Sequence, residues 1–459
     1  MIGRLALRSL TAHPVRSAVL AAGFGVGVAV MAILLGVAAI VLEQAQSPAL
    51  VGGGDVNIRL SLSVPARLVL SGTLQSDALR PRIRTAAASH TTDLYLLHNG
   101  SATRVAARGG IPSVERELGD PEVAGMSAWR DTSEDRAWTR ESPETVLRQI
   151  DRFHGVPDVP EWSDSWAEWL YFNGKSSQAR FYLTFMAGPR AKSGNRSVGV
   201  RLQIERNGKM ESYTTSGEAT DAELAKAPDL RFGTSSVRLD GLVYRIHLDL
   251  ADGTGRRTVG EIALQASPGR LVPPIEITGA RGWRTGYVVP VMSGALDGEL
   301  IVSGERVSLE GGTGYHDHNW GFWKGVSWQW GQAQQGDLSV IYGRVFPPPE
   351  AADPERIPGF VGVLGPDGPL GYSTDVRISE MNDDQGRPQA IDVRARSISL
   401  TVDLRFDVAS IETTRMTQGA LANGVNFLQM RGQYTVKGRA GTRDIAFTAP
   451  GAAETFRGD

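Results

Sequence analysis

No cysteine occurs among the 459 residues, which removes disulfides, thiolate nucleophiles and cysteine-ligated metals from consideration. It leaves the compartment open, since a disulfide-free chain can live on either side of a membrane. Excess charge of one sign is also missing. The 48 basic residues nearly balance the 50 acidic ones, and no basic run is interleaved with aromatics, so nucleic acid is not expected as a partner. Neither a Gly-x-Ser-x-Gly elbow nor a phosphate or dinucleotide fingerprint in a strand–helix setting is found. No cofactor is therefore expected. Convincing helical periods are scarce, whereas 54 glycines and 24 prolines are present, a composition that favours many short strands and turns. The length calls for two or three compact units.

Long apolar runs are limited to one. Ala18 to Leu42 carries no charge over 25 residues, and as a helix it would extend about 37 Å, enough for a ~30 Å hydrocarbon core. Arg4, Arg8 and Arg16 precede it and the first acid, Glu43, follows it. The positive-inside rule then predicts a single-pass anchor in the cell (inner) membrane with the bulk of the chain outside, on the periplasmic side. A cleaved signal peptide is the competing reading, although its apolar region is normally shorter. The expected organisation is 1–43 as basic tip and anchor, 44–158 as stalk or accessory region, and 159–294 and 295–459 as two β-domains. Within the accessory region Ser142 as cap and Pro143 at the first position, through Val146, Leu147, Ile150 and Phe153 to Gly155 as terminator, have the pattern of a short capped helix.

From Trp162 onward, strand-like segments alternate with turns. Leu242 to Leu250 is the clearest: Leu242, Tyr244, Ile246, Leu248 and Leu250 fall on one face, Arg245, His247 and Asp249 on the other, as in a half-buried antiparallel strand. Two such strand-rich halves predict two antiparallel barrels or sandwiches, and a small barrel can hold one lipophilic ligand.

The densest chemistry lies in Gly314-Tyr315-His316-Asp317-His318-Asn319-Trp320-Gly321, followed by Phe322, Trp323, Trp328 and Trp330. On a strand, Tyr315, Asp317 and Asn319 share one face and His316, His318 and Trp320 the other. The two histidines could be metal ligands, but Asp317 points away from them and no third ligand is marked, so no metal is expected. A carboxyl walled by Tyr315 and tryptophans loses hydration, which raises its pKa and lets it donate a proton. The bland alternative is that Asp317 and Asn319 bond backbone amides at a tight turn into Gly321.

Two resemblances accompany these motifs. The opening Arg4-Leu5-Ala6-Leu7-Arg8-Ser9-Leu10, with His13-Pro14-Val15-Arg16-Ser17, resembles the first membrane helix of FtsX-type ABC-transporter permeases, which implies ABC-transporter components as partners. Tyr315-His316-Asp317-His318-Asn319-Trp320-Gly321, together with Glu168-Trp169-Leu170-Tyr171-Phe172, resembles the hydroxyneurosporene synthase (carotenoid 1,2-hydratase) and AttH-like family over residues 160–459. That resemblance implies two tandem lipocalin-like antiparallel β-barrels, the motif opening the second. It also implies that Tyr315 and Asp317 protonate an isoprenoid double bond. The hydratases add a histidine and a tryptophan on a strand upstream, where this chain has Tyr287-Val288-Val289-Pro290 and only Trp283 nearby. The expected function is thus an anchored, lipocalin-like protein binding an apolar molecule for an export system, or else a hydratase, cyclase or isomerase. The expected ligand contacts are Trp169, Tyr171, His316, His318, Asn319, Trp320, Trp323, Trp328 and Trp330.

Overall fold

The structure is a computed structural model describing residues 79–98, 101–120, 130–133, 142–366, 368–415 and 426–457, with isolated positions before them. The apolar run from Ala18 to Leu42, with its permease-like opening, lies outside the described residues. Among the described residues no helix is long and apolar enough to cross a membrane. The longest has eight residues and rises about 12 Å, against a ~30 Å hydrocarbon core. On that finding the single-pass, periplasmic placement expected from the sequence is corrected.

The chain forms two compact units, residues 1–59 with 85–136, and residues 60–84 with 137–459. The first contains an antiparallel hairpin of β1 (His90–His98) and β2 (Ser101–Gly109), then a short helix α1 (Pro112–Glu117).

The second unit contains a 3-10 turn at Arg80–Arg82 and, after residue 137, opens its described part with helix α2 (Pro143–Ile150). Its start is the one the sequence predicts. The Ser142 hydroxyl accepts from the Thr145 N–H at 3.1 Å, and Pro143 occupies the first turn, where its missing N–H costs nothing. Val146, Leu147 and Ile150 face inward and join the core of the first sheet.

That sheet contains β3 (Trp166–Lys175), β4 (Arg180–Arg190), β5 (Arg196–Arg206), β6 (Lys209–Ala219), β7 (Leu230–Phe232) and β8 (Ser235–Asp240). It continues through β9 (Val243–Ala251), β10 (Arg257–Gln265), β11 (Val272–Thr278), β12 (Arg284–Val302), β13 (Glu305–Ser308) and β14 (Gly312–Phe322). Eight of these, in the order β3-β4-β5-β6-β9-β10-β12-β14, pair around a ring that β14 closes on β3. Alternation fills the interior. Tyr244, Ile246, Leu248 and Leu250 of β9 are all buried, as their period of two demands. Closure removes the edges that an open antiparallel sheet would leave.

The second sheet contains β15 (Ser327–Gln335), β16 (Leu338–Phe346), β17 (Phe360–Gly365), β18 (Gly368–Ser373), β19 (Asp375–Asn382), β20 (Pro388–Arg396), β21 (Leu400–Arg415), β22 (Asn426–Ala440) and β23 (Arg443–Arg457). Its order is β18-β17-β16-β15-β23-β22-β21-β20-β19, antiparallel throughout. Val340, Tyr342, Val361, Val393, Phe406, Tyr434 and Val436 form its own core. The architecture is therefore mainly β, with two antiparallel barrel-like sheets of the lipocalin kind.

Two particulars depart from the sequence reading. The boundary expected between 294 and 295 falls inside the 19-residue strand β12, and β14, expected to open the second barrel, completes the first. Long strands that change partner cannot be separated by local pattern. β12 pairs with β11 and β14 through its first half and with β10, β13 and β14 through its second. The accessory region up to 158 is likewise not all peripheral, since α2 and Phe153 belong to the first core.

Candidate functional site

Strand β14 carries the motif, and its two faces lead to different surroundings. Residues paired directly across a sheet share a face, so the register with β3 sorts them. His316 lies opposite Phe172, His318 opposite Leu170, and Trp320 opposite Glu168. All of these point into the first barrel. Tyr315, Asp317 and Asn319 pair with Asn173, Tyr171 and Trp169 and point outward. There the outer face meets the outer face of the second sheet, where Val289, Met292 and Tyr315 pack with Trp330, Ile341 and Ala452.

The inward face holds a buried ionic network. His316 Nδ1 lies 2.9 Å from the Tyr171 carbonyl, which can only accept, so that nitrogen carries the proton. Its Nε2 is 2.8 Å from Asp151 Oδ2, just beyond the end of α2. His318 Nε2 is 2.9 Å from Glu168 Oε1. His318 Nδ1 approaches Asp151 Oδ1 at 3.3 Å but off the line of a hydrogen bond, so the attraction there is that of an ion pair. Glu168 also accepts from the His154 backbone N–H at 2.9 Å and contacts His154 Nδ1 at 2.7 Å.

Burial alone would hold His318 neutral, but the carboxylates Asp151 and Glu168 outweigh it and push its pKa up to about 9. Burial opposes charge on Asp151 and Glu168 too, yet their histidine partners hold both below the ordinary carboxylate range. His154, Glu168 and His318 are the donors that could converge on a cation. Their atoms lie 2.7 and 2.9 Å from one another within the network. Aromatic rings enclose the network, with Phe172 stacked on His316 at 4.0 Å and His154 on Trp320 at 4.4 Å. Trp320 lies flat against β12 because position 286 is glycine, where a Cβ would come within 2.1 Å of the indole.

The outward face is different in kind. Asp317 is 4% exposed and has only neutral hydrogen-bond partners. Tyr315 donates its hydroxyl to Oδ2 at 2.9 Å and Asn319 its amide to Oδ1 at 2.7 Å. Behind Tyr315 the donors form a directed chain. Trp330 donates its indole N–H to the Tyr287 hydroxyl at 3.0 Å, and Tyr287 in turn lies 2.6 Å from the Tyr315 hydroxyl. Since Tyr315 spends its proton on Asp317, Tyr287 must be the donor in that pair. Burial pushes the Asp317 carboxyl well above the usual range, and the acidic Glu454 adds to the rise against the pull of Tyr315, His318 and Asn319. The turn-anchoring alternative is not what is found. Asp317 sits within a strand paired on both sides, and its oxygens accept from side chains.

In front of Asp317 lies a cavity of about 730 Å³, within the range of small-molecule sites. Trp169, Tyr171, Asn319, Trp323, Trp328 and Trp330 line it. Trp323 stands 4.6 Å from Trp169 and 5.6 Å from Trp328 between ring centres. Tyr287 and Asp317 line it too, whereas Tyr315 stands behind Asp317. His316, His318 and Trp320 do not reach it. Their expected role as ligand contacts is corrected by the alternation of β14, which turns them into the first barrel. The cavity lies outside both barrels, between their walls, because the barrel interiors are filled with side chains.

Sequence reasoning missed several groups. Asp151, His154 and Glu168 complete the ionic network. Tyr287 and Glu454 belong to the cavity, where the Trp328 indole donates to Glu454 Oε2 at 3.2 Å. Burial raises the Glu454 carboxyl to about 7, against the pull of Trp328 and Gln429. Glu168 carried a local signal through its place in the aromatic segment that resembles the hydratase family, and Tyr287 through the upstream strand compared with that family; Asp151, His154 and Glu454 carried none.

No known family matches the sequence, and no curated protein is similar to it. Among solved structures, an AttH-like protein of Nitrosomonas europaea is 14% identical, with 67% of this chain covering 98% of that one at a TM-score of 0.44. Kievitone hydratase of Nectria haematococca is 13% identical, covering 67% of this chain and 96% of its own, at 0.42. CghA is 9% identical, covering 70% and 96%, at 0.44. Each is a distant likeness.

Proposed function

We propose that the protein takes an apolar, alkene-bearing molecule into the aromatic cavity and that Asp317 acts there as a general acid in a hydratase- or isomerase-type reaction. The observation that carries this reading is a carboxyl buried at the cavity wall, where burial raises its pKa against the pull of its two neutral donors and, among the described residues, no cation lies within hydrogen-bonding reach. Such an acid stays protonated near neutrality and can give its proton to a weak base. The Asp317 O–H bond breaks, the alkene π pair takes the proton, and a carbocation forms beside aromatic faces that attract positive charge. Water then adds to give an alcohol, or a neighbouring C–H proton is lost to give the isomer. Tyr315 and Asn319 hold the carboxylate left behind, and in either outcome the released proton restores the acid.

Incubation with a polyisoprenoid in deuterated water tests it. Wild type should introduce deuterium at the former alkene carbon, and Asp317→Asn should not. Equal deuteration by both proteins, or by neither, would overturn the assignment. A second reading, binding of an apolar molecule without chemistry, rests on the same cavity. It predicts that lipids co-purify with wild type and with Asp317→Asn alike while no deuterium enters.

A further inference from the structure

The register of the first barrel places a second chemical feature at a fixed distance from Asp317. Asp317 pairs with Tyr171, Tyr171 with Thr184, Thr184 with Arg201, and Arg201 with Thr214. These five residues form one rung across β14, β3, β4, β5 and β6, all on the outward face. Four of them, with Tyr171 between Asp317 and Thr184, lead to Thr214 along the cavity wall, and all five line the cavity. At ~4.8 Å per strand, Asp317 and Arg201 stand about 14 Å apart along the sheet.

Arg201 differs from the other arginine on the cavity wall. Arg344 donates to the Pro354 carbonyl at 3.1 Å and pairs with Glu355 at 3.5 Å. Arg201 makes no hydrogen bond or ion pair among the described residues. Glu412 of β21 attracts it through space only. Its neighbours on the rung are two threonines, which offer hydroxyls and no charge. The cavity therefore has an aromatic, proton-donating end and a cationic end with an unused guanidinium fork.

We propose that Arg201 holds an anionic head group, so that the cavity takes a long amphiphile whose acidic end lies on Arg201 and whose unsaturated portion lies against Asp317. The proposal rests on the cavity's being the binding site and narrows its substrate class. A guanidinium matches a carboxylate or phosphate with two parallel N–H donors, which a lysine ammonium cannot do. Phosphate and carboxylate share this chemistry, and the probes separate them.

Tryptophan fluorescence of the full-length chain reports binding, since Trp169, Trp323, Trp328 and Trp330 all line the cavity. The probes are oleate, oleyl phosphate and oleyl alcohol. Wild type should bind at least one anionic probe about tenfold or more tightly than the alcohol, the scale of a charge-assisted hydrogen bond. Whichever of the two gains more identifies the head group. Arg201→Gln should erase that preference while leaving alcohol affinity unchanged, and Arg201→Lys should restore only part of it. If wild type binds acid and alcohol equally, or Arg201→Gln keeps the preference, the Arg201 assignment fails and the cavity reading stands. If no probe changes the fluorescence, the cavity reading fails and the Arg201 assignment with it.

Discussion

The Tyr287 hydroxyl lies 2.6 Å from that of Tyr315, and Tyr315 lies 2.9 Å from Asp317 Oδ2. Each proton in this chain points towards the carboxyl, so the chain can stabilise a carboxylate once Asp317 has released its proton. Tyr287→Phe cuts it one residue short of the acid. Turnover should fall about tenfold, with a larger loss, on the order of a hundredfold, for Tyr315→Phe, which removes a donor from the acid itself. Steady-state rates of the two variants check this. A larger loss for Tyr287→Phe would refute the ordering.

Asp317 also sets a pH signature in stability. Its folded pKa lies above the unfolded value, so the folded state holds the proton more tightly. Its contribution to stability is fully present below the unfolded pKa, about 3.9, and is lost as pH rises towards the folded value. Asparagine cannot ionise, so it escapes this loss. Asp317→Asn should therefore gain on wild type in thermal midpoint between pH 5 and pH 8. At pH 5 it should trail by about 1 kcal/mol, because the amide cannot accept from both Tyr315 and Asn319. Melting curves at the two pH values decide it, and a gap that widens in wild type's favour would contradict the assignment.

The ionic network behind the motif has the same sign as Asp317 on its alkaline side and the opposite sign on its acid side. The His318 pKa is raised from 6.5 to about 9, so the stability it contributes is complete below 6.5 and lost as pH rises through 9. Asp151 and Glu168 are depressed. Their contribution is present above the ordinary carboxylate range and is lost under acid. In the Asp317→Asn background, which lacks that carboxyl's own loss, urea midpoints should show a plateau between about pH 5 and 6.5 with losses on both sides, and adding His318→Gln should flatten the alkaline loss.

Removing one partner from that network should be severe. Glu168→Ala strands the His318 charge and leaves the His154 backbone N–H without its acceptor, at a cost of about 3–5 kcal/mol. Glu168→Gln keeps the shape and should cost less. Chemical denaturation of both variants measures the difference.

Gly286→Ala tests how tightly β12 and β14 are apposed. A methyl group would come within 2.1 Å of the Trp320 indole, so the ring must move at a cost of about 1–3 kcal/mol. The same displacement should loosen the His154 stack. Denaturation gives the first effect and near-ultraviolet circular dichroism the second.

Much of this was legible locally. The alternation of Tyr244, Ile246, Leu248 and Leu250 marked β9, Ser142 and Pro143 marked the start of α2, and strand geometry separated Tyr315, Asp317 and Asn319 from the two histidines. What could not be read locally comes from pairings distant in sequence. His316 meets Asp151 across 165 residues and His318 meets Glu168 across 150, and no spacing rule links such positions. The same reason hid Glu454, which stands on the last strand. The histidines were misjudged as ligand contacts although their face was known, because which side of β14 opens on the cavity depends on how the second sheet packs.

The closure of the first barrel by β14 divides labour between the two sheets. The acid and its two donors are mounted on the first, with the ionic network behind them shared between that sheet and the segment after α2, whereas Trp328, Phe360, Phe427 and Glu454 come from the second. Substrate preference can thus be re-engineered by regrafting the second sheet's wall, leaving the proton donor on its original mount. The converse also follows: stripped of that wall, Asp317 would be rehydrated, its pKa would relax towards that of an ordinary aspartate, and the acid would be disarmed with every bond to Tyr315 and Asn319 intact.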